Sequence, residues 1–509
     1  MLLGGDRRAG RTTSWQSPRF WLLIVCLAFV LAQVGLVRNL GLGWDESIYA
    51  SQTDPRRPAL VFSAPRARGT SLIAAPLQAL TGSTPALRVY LAMLAGIGLY
   101  VAYAVWLRLR PDASVPLAAL LLGSLWLSVF YGPSLMPNFT VALAGVFATG
   151  TFLCAARGIA SRSLEWAGGA AVAVATLLRP GDVAPLVFAL GLAALAHRAW
   201  RTRAVALVGP AVVGAVAGAL PWLVEAQLRY GGIIARIHRA VATQGTGKRF
   251  VPDYQLRAID GPLLCRPCHR TTEPIPLLGV LEWGVGLVLV AAAVALAVRR
   301  VRESRIRGAN SNRAADATLL PAFVGVAGAI PYLFLVGYAA PRFLLPAYAL
   351  LALPAAQAIA DGLAAFEGRW QVAGAAAVAV LIAAHIGVQA TWLERIIHTE
   401  QSSRDRWAVV ARALTNHGVR PPCVLTGTNS PPIAYLAKCD NAAIGRPGDE
   451  QFTTADLMAR LRTEPAAVVL RTGEKVPSYA RGWTAVPRKE LPRTWRLLIS
   501  PPPRSLTQS

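Results

Sequence analysis

Two adjacent carboxylates, Asp45 and Glu46, follow the first strongly apolar stretch of the 509-residue chain. A carboxylate is costly inside lipid, so the pair belongs at the water interface. There it could simply cap a juxtamembrane helix, because acidic residues favour a first helical turn. It could also do chemistry, since a carboxylate beside the membrane can remove the proton of an attacking hydroxyl group as a general base.

Other charged residues gather near the predicted ends of apolar segments, on the same side of the membrane as Asp45. This group consists of Arg66, Arg68, Arg179, Asp182, Glu282 and Arg342. A transferase at the membrane surface needs donors that stabilise the charge of a departing phosphate, and arginine offers a planar fork for phosphate. The plainer interpretations are solvated loop charges for Arg66 and Arg68, and an interfacial anchor for Arg342.

Composition restricts the class of protein. The chain is 54% hydrophobic and 15% charged, which is too apolar for an ordinary soluble protein of this size. Its net charge of +25 comes from 51 Lys+Arg against 26 Asp+Glu. In a soluble protein this balance would suggest nucleic acid, but in an apolar chain we expect membrane lipids and phosphates as anionic partners, and no nucleic acid.

Eleven apolar segments predict an α-helical polytopic membrane protein. They span residues 20–37, 87–107, 115–131, 139–156, 164–178, 183–197, 204–224, 277–298, 318–338, 343–362 and 371–390. The first is long enough to cross a bilayer, and no small-residue cleavage site follows it, so we expect an uncleaved membrane helix. Basic short connectors, with Arg108 and Arg299 among their residues, place the N-terminus in the cytoplasm by the positive-inside rule.

The chain divides into a tail, a membrane domain and a terminal domain. The predicted bounds are 1–18 for the cytoplasmic tail, 19–390 for the membrane domain with outer loops 39–86 and 225–276, and 391–509 for the terminal domain. Within the last part, residues 404–417 and 454–462 have helical periodicity, whereas 422–426 and 466–471 have the pattern of short buried strands. We expect a small α/β domain on the extracytoplasmic face of the cell membrane.

Cysteine usage agrees with this topology, because two cysteines lie in predicted membrane segments and four lie outside them in local pairs. The first two are Cys26 and Cys154, and the outer pairs are Cys265 with Cys268 and Cys423 with Cys439. Thiols on an oxidising side of the membrane favour disulfide bonds. The Cys-x-x-Cys spacing of one pair also suits a redox or metal site, although a zinc site would need further ligands.

Asp45, Glu46 and Tyr49 form an Asp-Glu-x-x-Tyr motif at the start of the loop after the first membrane helix. This motif in this position resembles that of the GT-C membrane glycosyltransferases, which include protein O-mannosyltransferases and lipid A aminoarabinose transferases. The resemblance covers residues 15–395 and implies a polyprenyl-phosphate sugar donor. It also implies that Asp45 is the catalytic base, that Glu46 supports Asp45 or positions the acceptor, and that Tyr49 positions the substrate.

Two further stretches concern the donor phosphate. Residues 340–346, Ala-Pro-Arg-Phe-Leu-Leu-Pro, are similar to an Arg-aromatic-x-x-Pro segment that lies near the donor phosphate in many members, which implies this role for Arg342. Relatives often carry Lys/His-Pro-Pro-Leu after the acidic motif, whereas residues 63–69 here read Ser-Ala-Pro-Arg-Ala-Arg-Gly. The resemblance therefore makes Arg66 or Arg68 the substitute for the family lysine.

The expected function is transfer of a sugar, with inversion, to an extracytoplasmic glycan, lipid or protein acceptor. Mannose, arabinose, aminoarabinose and other pentoses all stay open as the sugar. The sequence identifies no cofactor, and it contains no glycine-rich nucleotide loop. A divalent metal, Mg or Mn, stays open because some relatives use one, although Asp45 and Glu46 alone make an incomplete metal shell.

Two alternatives from other classes stay open, a flippase or transporter of lipid-linked sugars and a scaffold whose terminal domain binds the cell envelope. Few ionisable residues lie in mid-membrane, where an ion-coupled transporter usually needs them. His385 is the main exception, and a packing role suits it better than a proton relay. Arg179 and Asp182 fit a tight turn with an internal ion pair better than a functional site.

Overall fold

The computed structural model describes residues 17–244, 252–266, 268, 274–307, 312–442, 444 and 452–502, so nearly all of the predicted tail lies outside the described residues. The helices are α1 (Pro18–Val37), α2 (Trp44–Ser51), α3 (Gly69–Leu80), α4 (Thr84–Ala104), α5 (Ser114–Gly123), α6 (Trp126–Tyr131), α7 (Pro137–Ala156), α8 (Arg162–Leu178), α9 (Pro180–Ala196), α10 (Ala204–Tyr230), α11 (Ile233–Gln244), α12 (Pro252–Arg257), α13 (Leu277–Ile306), α14 (Arg313–Phe334), α15 (Leu345–Ala364), α16 (Gly368–Asn416), α17 (Ser430–Ala437) and α18 (Thr454–Arg460). The strands are β1 (Val424–Gly427), β2 (Asp440–Ala442), β3 (Ala466–Arg471), β4 (Thr484–Ala485) and β5 (Trp495–Ile499).

Among the described residues, eight helices are long and apolar enough to cross a membrane. They are α1, α4, α7, α10, α13, α14, α15 and α16, while α5 and α9 are apolar but shorter. A helix lies at each of the eleven predicted segments, although the segment at 115–131 is divided between α5 and α6. The prediction of an α-helical, multi-pass membrane protein is confirmed. The count of eleven membrane helices stays a prediction.

Hydrogen bonds from buried tyrosine and tryptophan side chains connect the central helices. The Tyr103 hydroxyl of α4 donates to the Ala349 carbonyl of α15 at 2.7 Å. Trp106 follows α4 in a short 3-10 turn, and its Nε1 donates to the Val146 carbonyl of α7 at 3.1 Å. Because an unpaired polar group costs about 1–3 kcal/mol in such a core, these bonds fix α4, α7 and α15 relative to one another.

Glycines bring α8 and α10 into backbone contact. A Cβ atom added at Gly214 would overlap the carbonyl oxygen of Gly169, and one at Gly218 would overlap that of Ala173. Lipid tails are as apolar as the helices, so close packing of small residues is a main source of helix association in a membrane. This contact positions α8, whose last residue immediately precedes Arg179.

We predict that Gly214→Val lowers the free energy of unfolding by about 1–3 kcal/mol, because the new methyl groups force the α8 and α10 backbones apart. Thermal unfolding of the purified protein in detergent measures this change. Gly209→Val is the matched control, since it lies on the same helix and an added Cβ there meets no atom within 4 Å. Equal melting temperatures for the two variants would contradict the packing argument.

The terminal domain contains a five-stranded sheet in the order β2-β1-β3-β5-β4. β1 pairs in parallel with β2 and β3, whereas β5 pairs antiparallel with β3 and β4. The central strand β3 is a continuous apolar run that is buried up to its last residue, as is typical of a strand covered on both faces. The two strands and the second helix expected from the sequence correspond to β1, β3 and α18.

Helix α16 connects the membrane bundle to the terminal domain without a break. Its 49 residues extend about 73 Å at the helical rise, and it passes through the predicted domain boundary at residues 390 and 391. One helix therefore supplies both the last membrane segment and the first helix of the terminal domain. The division into domains at this point stays a prediction.

The terminal domain packs on the loop that follows α1. The backbone N–H of Val61 donates to Asn441 Oδ1 at 2.8 Å, and the Tyr435 hydroxyl donates to Asp54 Oδ2 at 3.3 Å. Arg57 also donates to the Tyr435 carbonyl. These contacts hold the sheet directly over the segment that contains the candidate site.

Both expected cysteine pairs are joined in the structure. The Cys423–Cys439 disulfide connects the segments that lead into β1 and β2, and Cys265 is bonded to Cys268. Cys265 also exchanges two backbone hydrogen bonds with Ala339, at 2.8 and 3.1 Å. This bridge fixes the second loop against the residues that lead to Arg342.

Candidate active site

Helix α2 presents its two carboxylates to different surroundings. The Asp45 side chain is 31% exposed, whereas that of Glu46 is only 5% exposed. Tyr49 lies four residues after Asp45 and therefore on the same helical face. The adjacent acidic residues thus separate into one that faces accessible space and one that faces the protein interior.

Two arginines from distant parts of the chain meet at Asp45. Arg66 Nη2 lies 2.7 Å from Oδ1, and Arg342 Nη2 lies 3.4 Å from Oδ2. Burial acts to raise the pKa of Asp45, but the guanidinium groups of Arg66 and Arg342, helped by Arg179, outweigh it and hold the pKa below its ordinary value. Asp45 is therefore ionised at neutral pH, as a general base must be.

Arg342 is held in place by groups around it. It lies in a short 3-10 turn before α15, and its Nη1 donates to the Leu263 carbonyl at 3.2 Å and to the Tyr131 hydroxyl at 3.4 Å. Its Nε is buried and has no hydrogen-bond partner among the described residues. On the other side of Asp45, the Arg66 guanidinium lies over the Trp44 ring, with Cζ 5.4 Å from the centroid.

Glu46 is bonded to the protein through both carboxylate oxygens. Arg88 donates to both of them, Leu135 N donates to Oε1 at 2.8 Å, and Gly43 N donates to Oε2 at 2.7 Å. Arg404 Nη2 lies 3.9 Å from Oε2. These contacts do not fit a direct role of Glu46 in positioning the acceptor, because each oxygen already accepts two hydrogen bonds. They fit the alternative that Glu46 supports the segment bearing Asp45.

We predict that Arg88→Met lowers the free energy of unfolding by about 3–5 kcal/mol, because it leaves the buried Glu46 carboxylate without its counter-charge. Thermal unfolding in detergent measures this loss. Arg299→Met is the control, since Arg299 pairs with Glu303 at the surface and is 78% exposed, where ion pairs contribute little. Equal melting temperatures for the two variants would show that the Glu46–Arg88 pair does not hold the site together.

Arg68 is engaged by other partners. Its Nε and Nη2 donate to Glu225 Oε1 at 2.9 and 2.7 Å, and its Nη1 donates to Gln52 Oε1 at 2.5 Å. Glu225 also accepts from the buried Arg236 at 2.9 Å. Arg66 contacts Asp45, whereas the three donor nitrogens of Arg68 are occupied by Glu225 and Gln52. The phosphate-binding role predicted for Arg68 stays a prediction.

Tyr49 lies in the wall of the site. Its side chain is 6% exposed and packs edge-on against Phe62, with ring centroids 5.9 Å apart. Burial raises the pKa of its hydroxyl above the ordinary value, although the nearby charge of Arg66 acts in the opposite direction. Tyr49 therefore stays a neutral hydroxyl that can donate a hydrogen bond, which suits a positioning role.

The ion pair expected between Arg179 and Asp182 is present, and the structure adds contacts with α14 and with Phe343 that the sequence did not indicate. Arg179 Nε donates to Asp182 Oδ1 at 2.8 Å, and the Tyr332 hydroxyl of α14 donates to the same oxygen. The Arg179 guanidinium lies over Phe343, with Cζ 4.5 Å from the ring centroid. Phe343 follows Arg342, so the turn lies beside the site. The signal that the sequence offered was Pro180, which disfavours helix at Arg179.

Glu282 and His385 pair with each other in the described structure. His385 Nδ1 lies 3.4 Å from Glu282 Oε1, and Gln389 donates to Glu282 Oε2 at 2.6 Å. The three side chains thus join α13 to α16. This arrangement agrees with the packing role expected for His385.

The site offers poor ligands to a divalent cation. Among the described residues, no group of three His, Cys, Asp or Glu side chains could hold a metal ion. Both Asp45 oxygens contact arginine, and both Glu46 oxygens are occupied by protein donors. Since Mg²⁺ and Mn²⁺ prefer a set of several oxygen ligands, the arginine-lined surroundings of Asp45 do not fit the Mg or Mn ion that was left open.

Comparison with known proteins gives structural neighbours but no sequence relatives. No family model matches the chain, and no curated protein sequence does. The apo crystal structure of ArnT from Cupriavidus metallidurans matches with a TM-score of 0.64 and 16% identity, over 94% of this chain and 98% of that chain. The same ArnT bound to undecaprenyl phosphate matches with a TM-score of 0.60 and 16% identity, over 94% and 97%.

The archaeal oligosaccharyltransferase AglB from Archaeoglobus fulgidus is also similar. Its complex with an inhibitory peptide and a dolichol-phosphate matches with a TM-score of 0.54 and 15% identity, over 89% of this chain and 69% of that chain. ArnT and AglB are both GT-C enzymes, so the GT-C fold expected from the Asp-Glu-x-x-Tyr motif is confirmed. At this identity the likeness establishes the fold, and the activity has to be argued from the site.

Proposed function

We propose that this protein is a membrane glycosyltransferase that moves a sugar from a polyprenyl-phosphate donor to a hydroxyl group on the extracytoplasmic side. The observation that carries this proposal is the partly exposed Asp45 carboxylate between Arg66 and Arg342. Similar structures give it support, since the ArnT structure contains bound undecaprenyl phosphate and the AglB structure is a complex with a dolichol-phosphate and an inhibitory peptide. Lipid-linked phosphates therefore bind proteins of this fold.

The chemistry follows from the charges around Asp45. Asp45 takes the proton of the acceptor hydroxyl while the hydroxyl oxygen forms a bond to the anomeric carbon of the sugar. The bond between that carbon and the phosphate oxygen breaks at the same time. Because the phosphate leaves from the face opposite the attacking oxygen, the configuration at the anomeric carbon inverts. The leaving group is a polyprenyl phosphate, and Arg66 and Arg342 stabilise the negative charge that it gains.

The same two arginines link donor binding to the strength of the base. A carboxylate that is paired with two guanidinium groups is a weak base, because their charge lowers its pKa. A donor phosphate that binds Arg66 and Arg342 brings a negative charge beside Asp45 and competes for these donors. We therefore propose that Asp45 becomes a stronger base once the donor is bound.

Other residues support this arrangement from outside the reaction. Glu46 positions α2 through its bonds to Arg88, and Tyr49 lines the substrate side of the same helix. We propose an extracytoplasmic location for the Asp45 end of the bundle and for the terminal domain. The two disulfide bonds support this orientation, because such bonds persist on the oxidising side of a membrane.

The direct test is transfer of label from a panel of radiolabelled polyprenyl-phosphate sugars in membranes that contain the protein. We predict transfer with the wild type and a loss of about 10²- to 10⁴-fold with Asp45→Asn. Asp405→Asn, which removes an exposed carboxylate of α16, should retain activity. Movement of the lipid without transfer would indicate a flippase, and retained turnover in Asp45→Asn would exclude Asp45 as the base.

The pH dependence tests the link between donor and base. The acid limb of kcat/KM reports the free enzyme and that of kcat reports the substrate complex. Since the arginines lower the pKa of Asp45 in the protein alone, activity should fall at a higher pH in kcat than in kcat/KM. Arg66→Gln should move the acid limb of kcat/KM to a higher pH and so bring it closer to the acid limb of kcat. Coincident limbs in the wild type would contradict competition between phosphate and Asp45.

A further inference from the structure

We infer that Arg179 is a further donor-phosphate-binding residue and that Asp182 and Tyr332 aim its guanidinium group. This inference rests on the proposed function, because the phosphate is that of the lipid-linked donor. The sequence alone explained Arg179 as half of a local ion pair. The structure adds contacts from α14 and from the turn before α15, which place this arginine beside Arg342.

Arg179 and Arg342 share one aromatic ring. Their Cζ atoms lie 4.5 and 5.3 Å from the centroid of Phe343, and the Tyr332 ring stacks on Phe343 with centroids 4.8 Å apart. A phosphate group presents several oxygens and can accept bonds from two guanidinium forks at once. Both guanidinium groups therefore lie against one ring, and we propose that they bind one such group together.

The backbone and Asp182 determine the direction of the Arg179 side chain. Arg179 is the only residue between α8 and α9, and its φ of −159° and ψ of 85° break the helical path before Pro180. Asp182 is 2% exposed and engages Nε. Asp182 thus contacts this side chain at Nε, and among the described residues no hydrogen bond joins the two terminal nitrogens, which bind phosphate in a forked geometry, to a carboxylate.

The charge of this cluster favours an anion. Asp45 and Asp182 supply two negative charges, whereas Arg66, Arg179 and Arg342 supply three positive ones. The charge of Arg179 acts on Asp45 and on Tyr49, so it belongs to the same electrostatic environment. The cluster therefore keeps one net positive charge after these ion pairs are counted, which favours the approach of an anionic group.

Equilibrium binding of undecaprenyl phosphate to the purified full-length protein tests this role, with neutral undecaprenol as the matched ligand. We expect Arg179→Gln to weaken phosphate binding about 10- to 100-fold and to leave undecaprenol binding unchanged. Arg179→Lys should restore part of the loss, because it keeps the charge and loses the fork. Tyr332→Phe should cause a smaller loss for the phosphate ligand alone, while Arg229→Gln, at an exposed position of α10, should bind as the wild type does.

The outcomes separate this inference from the proposed function. If Arg342→Gln weakens phosphate binding and Arg179→Gln does not, Arg179 is excluded and the proposed function stands. If the wild type binds undecaprenyl phosphate no more tightly than undecaprenol, both are overturned. Equal losses of phosphate and undecaprenol binding in Arg179→Gln would show a merely structural role. If phosphatidylglycerol displaces bound undecaprenyl phosphate as well as free undecaprenyl phosphate does, the site binds lipid headgroups in general. This result would also overturn the inference.

Discussion

The candidate site depends on the buried ion pair between Glu46 and Arg88. Removing two charges from water is costly, and the cost is offset only when every donor and acceptor is bonded. Here Gly43 N and Leu135 N complete the shell around the Glu46 carboxylate. The pair therefore joins α2 to α4 and to the turn before α7, and it holds α2 in the orientation that leaves Asp45 partly exposed.

Arginine has two opposite effects at this site. Arg66 and Arg342 lower the proton affinity of Asp45, which weakens it as a base, yet they are the groups that can stabilise a departing phosphate. A donor that shares these arginines removes this conflict, because it competes for their hydrogen bonds and adds a negative charge beside Asp45. In the proposed reaction, donor binding therefore comes first and deprotonation second.

Local sequence patterns predicted the parts of the protein that depend on local physics. Continuous apolar runs predicted the membrane helices and the strands β1 and β3, because burial selects such runs directly. The position of Asp45 beside the first membrane helix indicated a residue at the interface. Composition placed a boundary near residue 391, where α16 changes from an apolar to a polar sequence, although the helix itself continues.

Tertiary contacts determine what the patterns could not predict. Glu46 and Asp45 look alike in sequence, but Glu46 accepts hydrogen bonds from Arg88 and Leu135, at least 42 residues away, whereas Asp45 pairs with other arginines. Arg179 has a sufficient local partner in Asp182, so nothing nearby in the sequence pointed to Phe343. In the same way, Arg68 and Arg66 stand in one short motif, but Glu225, 157 residues after Arg68, binds only Arg68 of the two in the described structure.

The central claim is that Asp45 removes a proton from the acceptor, and an acceptor without a proton tests it most directly. Azide can displace polyprenyl phosphate from the anomeric carbon without a base. With a labelled donor, Asp45→Asn should fail to glycosylate hydroxyl acceptors yet form the inverted glycosyl azide at a rate close to that of the wild type. If Asp45→Asn binds the donor normally but fails equally with azide, Asp45 acts in some way other than as the general base.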